Sequence, residues 1–307
     1  MAYVYPTAWF GEGLIPTQDA TLCITSAAVL YGLSVYTVLP VTVTAGGEAV
    51  AFRVSDHYRR LVNSARIIGI DTFEPAWNEA RFVEALRGLV RSNALSEDIF
   101  VRVSVHVDAR LPGTRSRGMS TILSMFAYAA EPILPLDGAR LKTSVWRRIP
   151  DYAIPSRSKV NGAYVNSVLA KQDAIDSGYD DCVFLDAAGH VCELSAANIF
   201  IVRDGVLITP GTASDLLEGI NRSTVLQIAE RLGVAAHERD VDLTELYIAD
   251  EVFACGTSTY VAPVIEVDAR VVNGSCVGPI TARVRERYLA VLRGQDPDFV
   301  QFVTTLD

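Results

Sequence analysis

Between Thr21 and Gly47 the chain carries no charged residue. A stretch of that length must be buried, in lipid or inside a protein core, so it constrains the fold before any motif is considered. Gly32, Pro40, Gly46 and Gly47 interrupt it, and seven Ser or Thr residues dilute it. A membrane span needs about 20 mainly apolar residues in an unbroken helix, so the pattern predicts a buried turn followed by a strand, and no membrane partner. The first basic side chain is Arg53, which gives no charged start to a signal peptide.

A chain of 307 residues exceeds what one core normally carries. Short apolar strands alternate with amphipathic helices along it, the pattern of an α/β (α+β) protein. Ser55 is the expected cap of a helix bearing Tyr58, Leu61, Ala65 and Ile68 and ended by Gly69, and Asn78 opens a second through Phe82, Leu86 and Val90. Residues 99–107 and 121–128 read as strands. The stretch 129–138 holds two prolines and a glycine and is the expected linker, leaving 1–128 and 139–307 as two domains. Beyond it, 142–146, 182–185, 198–202, 206–208 and 251–254 read as strands, with a hairpin at Asp204-Gly205. Residues 162–177, bearing Val165, Val168, Leu169, Gln172 and Ile175, then 219–232 and 279–293, read as helices.

The net charge of −9 argues against a nucleic-acid partner, whose phosphates are bound by basic clusters. Five cysteines with no CxxC pair are most simply reduced thiols in a cytoplasmic protein, and no metal site is expected.

Of 27 Lys plus Arg residues only three are lysines, Lys142, Lys159 and Lys171. A codon bias toward arginine accounts for the low count by itself, but the count narrows the candidates for amine chemistry. Lys159 follows the polar loop Pro155-Ser-Arg-Ser158 and precedes Asn161-Gly162. Tyr164 lies on the first turn of the helix after it, and Glu193 follows 34 residues on. An amine nucleophile, a hydroxyl for a phenolic oxygen and a carboxylate for a pyridine nitrogen are the groups that pyridoxal-phosphate chemistry requires. Gly219-Ile-Asn-Arg222 opens a helix with no acid in its first turn, and Gly256-Thr-Ser-Thr259 follows a strand, so each suits a phosphate. Arg60 adds a guanidinium to that set.

The order His57-x-x-Arg60-Leu61-x-x-Ser64-Ala65, Lys159 to Tyr164, Glu193 with Asn198-Ile-Phe200, Gly219-Ile-x-Arg222 and Asp250-Glu-Val-Phe-x-x-Gly256-Thr257 resembles the fold-type IV pyridoxal-phosphate transaminases. It looks most like their branched-chain amino-acid aminotransferase subgroup. The resemblance implies a small N-terminal and a larger C-terminal α/β domain, pyridoxal 5′-phosphate in the interdomain cleft, and a homodimer. It implies an amino-acid or amine donor, probed first as an apolar branched-chain L-amino acid, and a 2-oxo acid acceptor in a ping-pong reaction. By position Lys159 would bond the cofactor and shuttle the proton, Tyr164 would meet the ring oxygen, Glu193 the ring nitrogen, and Leu217 would pack on the ring. Arg60, Gly219, Ile220, Asn221, Gly256, Thr257 and Ser258 would hold the phosphate. Tyr31, Tyr36, Val38, Phe100, Arg102, Tyr128, Thr257 and Ser258 would face the substrate.

The chain also departs from the pattern. Where the subgroup usually has Tyr-Gly-x-Ser-Val-Phe-Glu-Gly, it reads Tyr31-Gly-Leu-Ser-Val-Tyr-Thr-Val38, and Phe100-Val-Arg102 replaces Tyr-x-Arg. Val38 looks more like the D-amino-acid and (R)-amine transaminases of this fold, with Arg110, Arg115 and Arg117 as further carboxylate ligands. Thr37 in place of the glutamate leaves room for a lyase similar to aminodeoxychorismate lyase.

Overall fold

The computed structural model describes residues 2–44, 46–110 and 112–306. The chain divides into two compact units with a break between Glu131 and Pro132, inside the proline-containing 129–138 stretch. Unit 1 comprises Met1–Glu131 together with Ser158–Ala163 and Val291–Asp307; unit 2 comprises Pro132–Arg157 and Tyr164–Ala290. The two later segments of unit 1 differ from the division at 139, because a short return to an earlier sheet leaves no mark in composition.

Unit 1 is an antiparallel sheet built from β1 (Val4–Phe10), β2 (Gly13–Pro16), β3 (Ser34–Val43), β4 (Ala49–Phe52), β5 (Ile99–Val107), β6 (Thr121–Ala129) and the late strand Val303–Thr305. The spatial order is the late strand, β4, β3, β5, β6, β1, β2. The uncharged stretch becomes the short helix α1 (Ala27–Tyr31), a left-handed turn at Gly32 and β3; the strand is largely buried as expected, but the part before it is not a buried turn, since Ile24, Val29, Leu30 and Tyr31 are exposed. Strand alternation sends Val35, Leu39 and Val41 of β3 and Val101, Val103 and Val105 of β5 into one core. That core is completed by Leu61 and Ala65 of α2 (Val54–Ile67), Phe73 of α3 (Phe73–Ala76), and Phe82, Leu86 and Leu89 of α4 (Glu79–Ser92).

Asn78 caps α4 as expected, accepting from the Arg81 N–H at 2.9 Å. Ser55 is not the cap of α2. The helix starts two residues earlier than a Ser55 cap would set, with Arg53 as N-cap at φ 50°, and the Ser55 hydroxyl bonds Glu79 instead. Arg53 is held there by the distant C-terminal segment: its N–H donates to the Phe302 carbonyl and its guanidinium lies 4.4 Å from the Phe302 ring centroid.

Unit 2 contains β7 (Ala139–Thr143), β8 (Asp181–Leu185), β9 (Val191–Leu194), β10 (Asn198–Arg203), β11 (Val206–Thr209), β12 (Ala236–Glu238), β13 (Glu251–Gly256), β14 (Tyr260–Val267) and β15 (Arg270–Val271). The chain runs β10, β13, β14, β7, β8, β9 side by side, and β9 pairs back onto β10, so these six strands close into a barrel-like ring. β7 lies three residues before the expected 142–146 strand, because its partners β14 and β8 pair with 139–143. The Asp204-Gly205 hairpin forms with φ 51° and 75°, the left-handed pair a tight turn needs.

The helices of unit 2 are α5 (Tyr164–Asp176), α6 (Ile220–Arg231), α7 (Leu243–Tyr247) and α8 (Pro279–Leu292). α5 turns its face opposite to the apolar reading. Ser167, Ala170 and Ala174 are buried, whereas Val165 and Val168 are each 64% exposed and Leu169 and Ile175 are 42% and 49% exposed. Ala170 and Ala174 pack in one cluster with Cys182, Phe184 and Cys192, so small side chains let the helix approach the ring closely. Among the described residues no helix is long and apolar enough to cross a membrane.

Candidate active site

In unit 1 the lysine segment completes a sheet edge. β4 pairs only with Val41–Val43 of β3, so the Ser34–Tyr36 end of β3 is left open on that side. Residues 158–160 take the place: Val160 forms a bridge with Val35, and the Tyr36 N–H donates to the Lys159 carbonyl at 3.0 Å. Ser64 of α2 fastens the same residues, accepting from the Lys159 N–H at 3.1 Å through its hydroxyl and from the Ser158 hydroxyl at 3.0 Å through its carbonyl. Beyond them Gly162 crosses Gly32 backbone to backbone. A Cβ on Gly32, whose φ is +64°, would lie 2.8 Å from the Gly162 Cα, so the crossing admits only glycine.

Lys159 Nζ is thereby brought 4.9 Å from the centroid of the Tyr36 ring. The Arg102 guanidinium lies 3.7 Å from the same centroid and donates to Asn161 Oδ1 at 3.2 Å. Lys142 and Lys171 are committed elsewhere, to Asp173 at 2.8 Å and Asp181 at 3.4 Å.

Register then gathers the expected substrate residues. Val38 stands opposite Arg102, and Phe100 opposite Tyr128, so Tyr36, Val38, Phe100, Arg102 and Tyr128 share one face of the sheet. Phe126, opposite Arg102 and 5.8 Å from Tyr128 ring to ring, belongs to that face and was missed in the sequence. Tyr31 lies apart from it at the end of α1, where its hydroxyl accepts from the Gly113 N–H. Arg110 pairs with Asp108, and Arg115 and Arg117 are exposed.

Arg60 approaches the sheet from its other side. It donates to the Thr37 hydroxyl at 2.9 Å, and Thr37 in turn lies 2.7 Å from His57 Nδ1. Spacing of three and four residues puts His57, Arg60 and Ser64 on one flank of α2. Burial holds the His57 imidazole well below its usual range, and the nearby charges of Arg60, Arg53 and Lys159 push the same way. His57 is therefore a neutral hydrogen-bonding group here.

In unit 2 the ring closure itself makes the second group. The residues paired where β9 meets β10 are Glu193 and Asn198. The Asn198 amide donates to Glu193 Oε2 at 3.2 Å and to the Leu217 carbonyl at 3.0 Å, and the Leu217 N–H donates to Glu193 Oε2 at 3.2 Å. Arg148 lies 3.0 Å from Glu193 Oε1. The tight turn between the pair is fixed by buried Asp181, which accepts from the Ser195 hydroxyl at 2.9 Å. Tyr164 is half-buried at the first position of α5.

Gly219 is the N-cap of α6, which has no acidic residue in its first turn and no side-chain cap. A Cβ there would overlap Asn198 Oδ1. Asn221 on the first turn ties three elements together: its amide donates to the Thr257 hydroxyl at 3.3 Å, and it accepts from the buried Tyr288 hydroxyl of α8 at 2.9 Å. Gly256 is packed against the Ala196 carbonyl, and the Ser258 carbonyl accepts from the Ile133 N–H. Ile220 is buried behind this turn.

The structure thus forms two groups, one in each unit, from the expected residues. It adds Ser64, Asn161, Phe126, Arg148, Asn198 and Tyr288 as their supports. Ser64 and Asn198 stood in quoted motifs without a role; Arg148 had no local signal, since its partner is 45 residues away.

Comparison with known proteins shows the family and the fold. A family model described as amino-transferase class IV matches residues 34–267. A probable branched-chain-amino-acid aminotransferase of Aquifex aeolicus is 34% identical over 301 residues, covering 97% of this chain and 96% of the relative. The solved branched-chain aminotransferase of Thermoproteus uzoniensis with norvaline superposes with a TM-score of 0.94 at 33% identity, covering 99% of this chain and all of that one. The PLP-form of the Thermobaculum terrenum enzyme superposes with a TM-score of 0.91 at 31% identity, covering 99% of each chain.

Proposed function

Because the chain belongs to the class IV aminotransferase family, whose chemistry uses pyridoxal phosphate, we propose that it transfers the amino group of an apolar, branched-chain L-amino acid to a 2-oxo acid. The observation that carries this substrate class is the unit 1 sheet face. Val38, Phe100, Phe126 and Tyr128 make it apolar and aromatic, and Arg102 gives it one cation suited to a carboxylate.

The residues present fit the cofactor. Glu193 is a carboxylate with donors on both oxygens, which suits a protonated ring nitrogen, and the acid-free start of α6 suits a phosphate. When bound, pyridoxal phosphate supplies an aldehyde for an amine and a ring that draws electrons from the substrate Cα. Lys159 provides the amine and moves the proton from Cα by its Nζ. Tyr164 would donate to the ring oxygen, Glu193 would pair with the ring nitrogen, and Leu217 would pack on the ring. Arg60, Gly219, Ile220, Asn221, Gly256, Thr257 and Ser258 would hold the phosphate. Arg102 would orient the substrate carboxylate, while Tyr36, Val38, Phe100 and Tyr128, with Thr257 and Ser258, would surround the side chain.

Cytoplasmic residence and a homodimer belong to the same reading. The five free cysteines support the first, and the exposed apolar flank of α5 gives the second a surface to bury.

The test is the visible absorption of the purified protein before and after L-leucine, D-alanine or (R)-1-phenylethylamine, each without acceptor. Bleaching by L-leucine, reversed by 2-oxoglutarate, is expected. Bleaching only by D-alanine or by the amine refutes the L-amino-acid assignment. A band that none of the three changes points to a lyase, and a Lys159→Ala protein that still turns over refutes the role of Lys159.

A further inference from the structure

We infer that Arg148 is a positioning residue of the reaction, holding Glu193 ionised and aimed so that the proton shared with a facing base rests on that base. The inference rests on the reading of Glu193 as the partner of the ring nitrogen and deepens it.

Glu193 and Arg148 are both withdrawn from water, with side chains 9% and 13% exposed. A carboxylate in such surroundings neutralises itself unless donors surround it. Glu193 Oε2 takes the Asn198 amide and the Leu217 N–H, but neither carries charge. Arg148 brings a full positive charge into contact, 3.0 Å from Oε1. With both oxygens engaged from different directions, the plane of the carboxylate is set as well as its charge.

Arg148 is itself held from three sides. Its N–H donates to the Leu185 carbonyl of β8 at 2.9 Å, its Nε donates to the Asp215 carbonyl at 3.3 Å, and its guanidinium stands 5.8 Å from the Phe184 ring centroid. Asp215, at φ 53°, also accepts from the Asp151 N–H at 2.9 Å through its carboxylate. The guanidinium therefore spans from the segment before α6 to the carboxylate. A planar fork can meet Asp215 and Glu193 together, whereas a lysine ammonium carries the charge to one of them only.

The chemical consequence concerns the position of one proton. Between a ring nitrogen and a carboxylate, the proton stays on the nitrogen when the carboxylate is the weaker base. Arg148 weakens Glu193 as a base by direct contact. Without it the carboxylate gains proton affinity and the ring loses part of its power to draw electrons.

The experiment uses the holoenzyme and the variants R148M, R148Q, R148K, E193Q and R148M/E193Q. It reads the absorption maximum of the bound cofactor against pH, the cofactor Kd, kcat and KM, with circular dichroism to certify folding. R148M is expected to shift the absorption maximum in the same direction as E193Q and to lower kcat about 10- to 100-fold while the donor KM changes less than about twofold. R148K recovers part of kcat, and R148M/E193Q is no worse than E193Q within about twofold. A wild-type spectrum and kcat in R148M overturn the inference. So do losses that multiply in the double variant, because they show Arg148 acting apart from Glu193. If E193Q itself changes neither spectrum nor kcat, the reading of Glu193 fails and takes this one with it; a damaged E193Q beside an intact R148M sinks only Arg148. Where R148M does not fold, R148Q and R148K make the same comparisons.

Discussion

Gly219→Ala offers the sharpest test of how the unit 2 site is assembled. The backbone at Gly219, φ −71° and ψ 135°, is one that alanine adopts without strain, so any large cost must come from the added methyl. That methyl overlaps Asn198 Oδ1. A flexible side-chain end would ordinarily move aside, but Asn198 is only 5% exposed and its amide serves both Glu193 and the Leu217 carbonyl. Moving it breaks a bond to a charged acceptor, about 2 kcal/mol, and a neutral one, about 1 kcal/mol. Exchanging Gly for Ala at an N-cap adds about 1 kcal/mol. The expected loss is therefore about 4 kcal/mol in urea unfolding, with weaker cofactor binding. In an Asn198→Ala background the same substitution meets only the Arg222 Cβ at 3.3 Å and costs little beyond the capping part, about 1 kcal/mol. Equal costs in the two backgrounds would falsify the steric argument and leave Gly219 as a cap alone.

Gly32→Ala places a Cβ 2.8 Å from the Gly162 Cα at a left-handed position, so we expect more than about 2 kcal/mol of lost stability and poor cofactor retention; an unchanged Tm contradicts the crossing. His57 and His106 are kept neutral by burial, His106 down to about 4 with Arg102 adding to the effect. The unfolded chain binds these protons near pH 6.5 and the folded chain only well below, so stability is full above pH 6.5 and declines as pH falls. For His106 the decline runs from 6.5 to about 4 at a slope of at most about 1.4 kcal/mol per unit, and urea midpoints of H106Q that keep the wild-type slope would refute it. Val38→Gly opens the row opposite Arg102 and should raise kcat/KM for bulky apolar donors about 10- to 100-fold relative to small ones; an unchanged ratio removes Val38 from the substrate face.

Local signals suffice for some elements of this fold and not for others. β5 and α4 carry strong periodicity and were legible to within a residue or two, as was the Asp204-Gly205 turn, whose backbone demands are contained in two residues. α5 was legible as a helix and not in its orientation. Its valines and leucine give the apolar stripe, but the close approach to Cys182 and Phe184 admits only the Ala and Ser side. Arg53 displaced Ser55 as a cap because Phe302, some 250 residues later, reaches its N–H.

The same division holds for the site. By itself the sequence singled out the side chains proposed here for the chemistry, since amine, hydroxyl, carboxylate and glycine-rich helix start are properties of residue type and order: Lys159, Tyr164, Glu193 and Gly219. Tertiary structure alone decided what holds each one. Ser64 and the open edge of β3 place Lys159, and the return of β9 onto β10 brings Asn198 to Glu193. Arg148 joins that pair from a loop with no periodicity or motif. Functional groups act through their own atoms and are written locally, whereas the partners that orient a buried charge come from wherever the chain folds back, and strand register across a sheet is not encoded in any one strand.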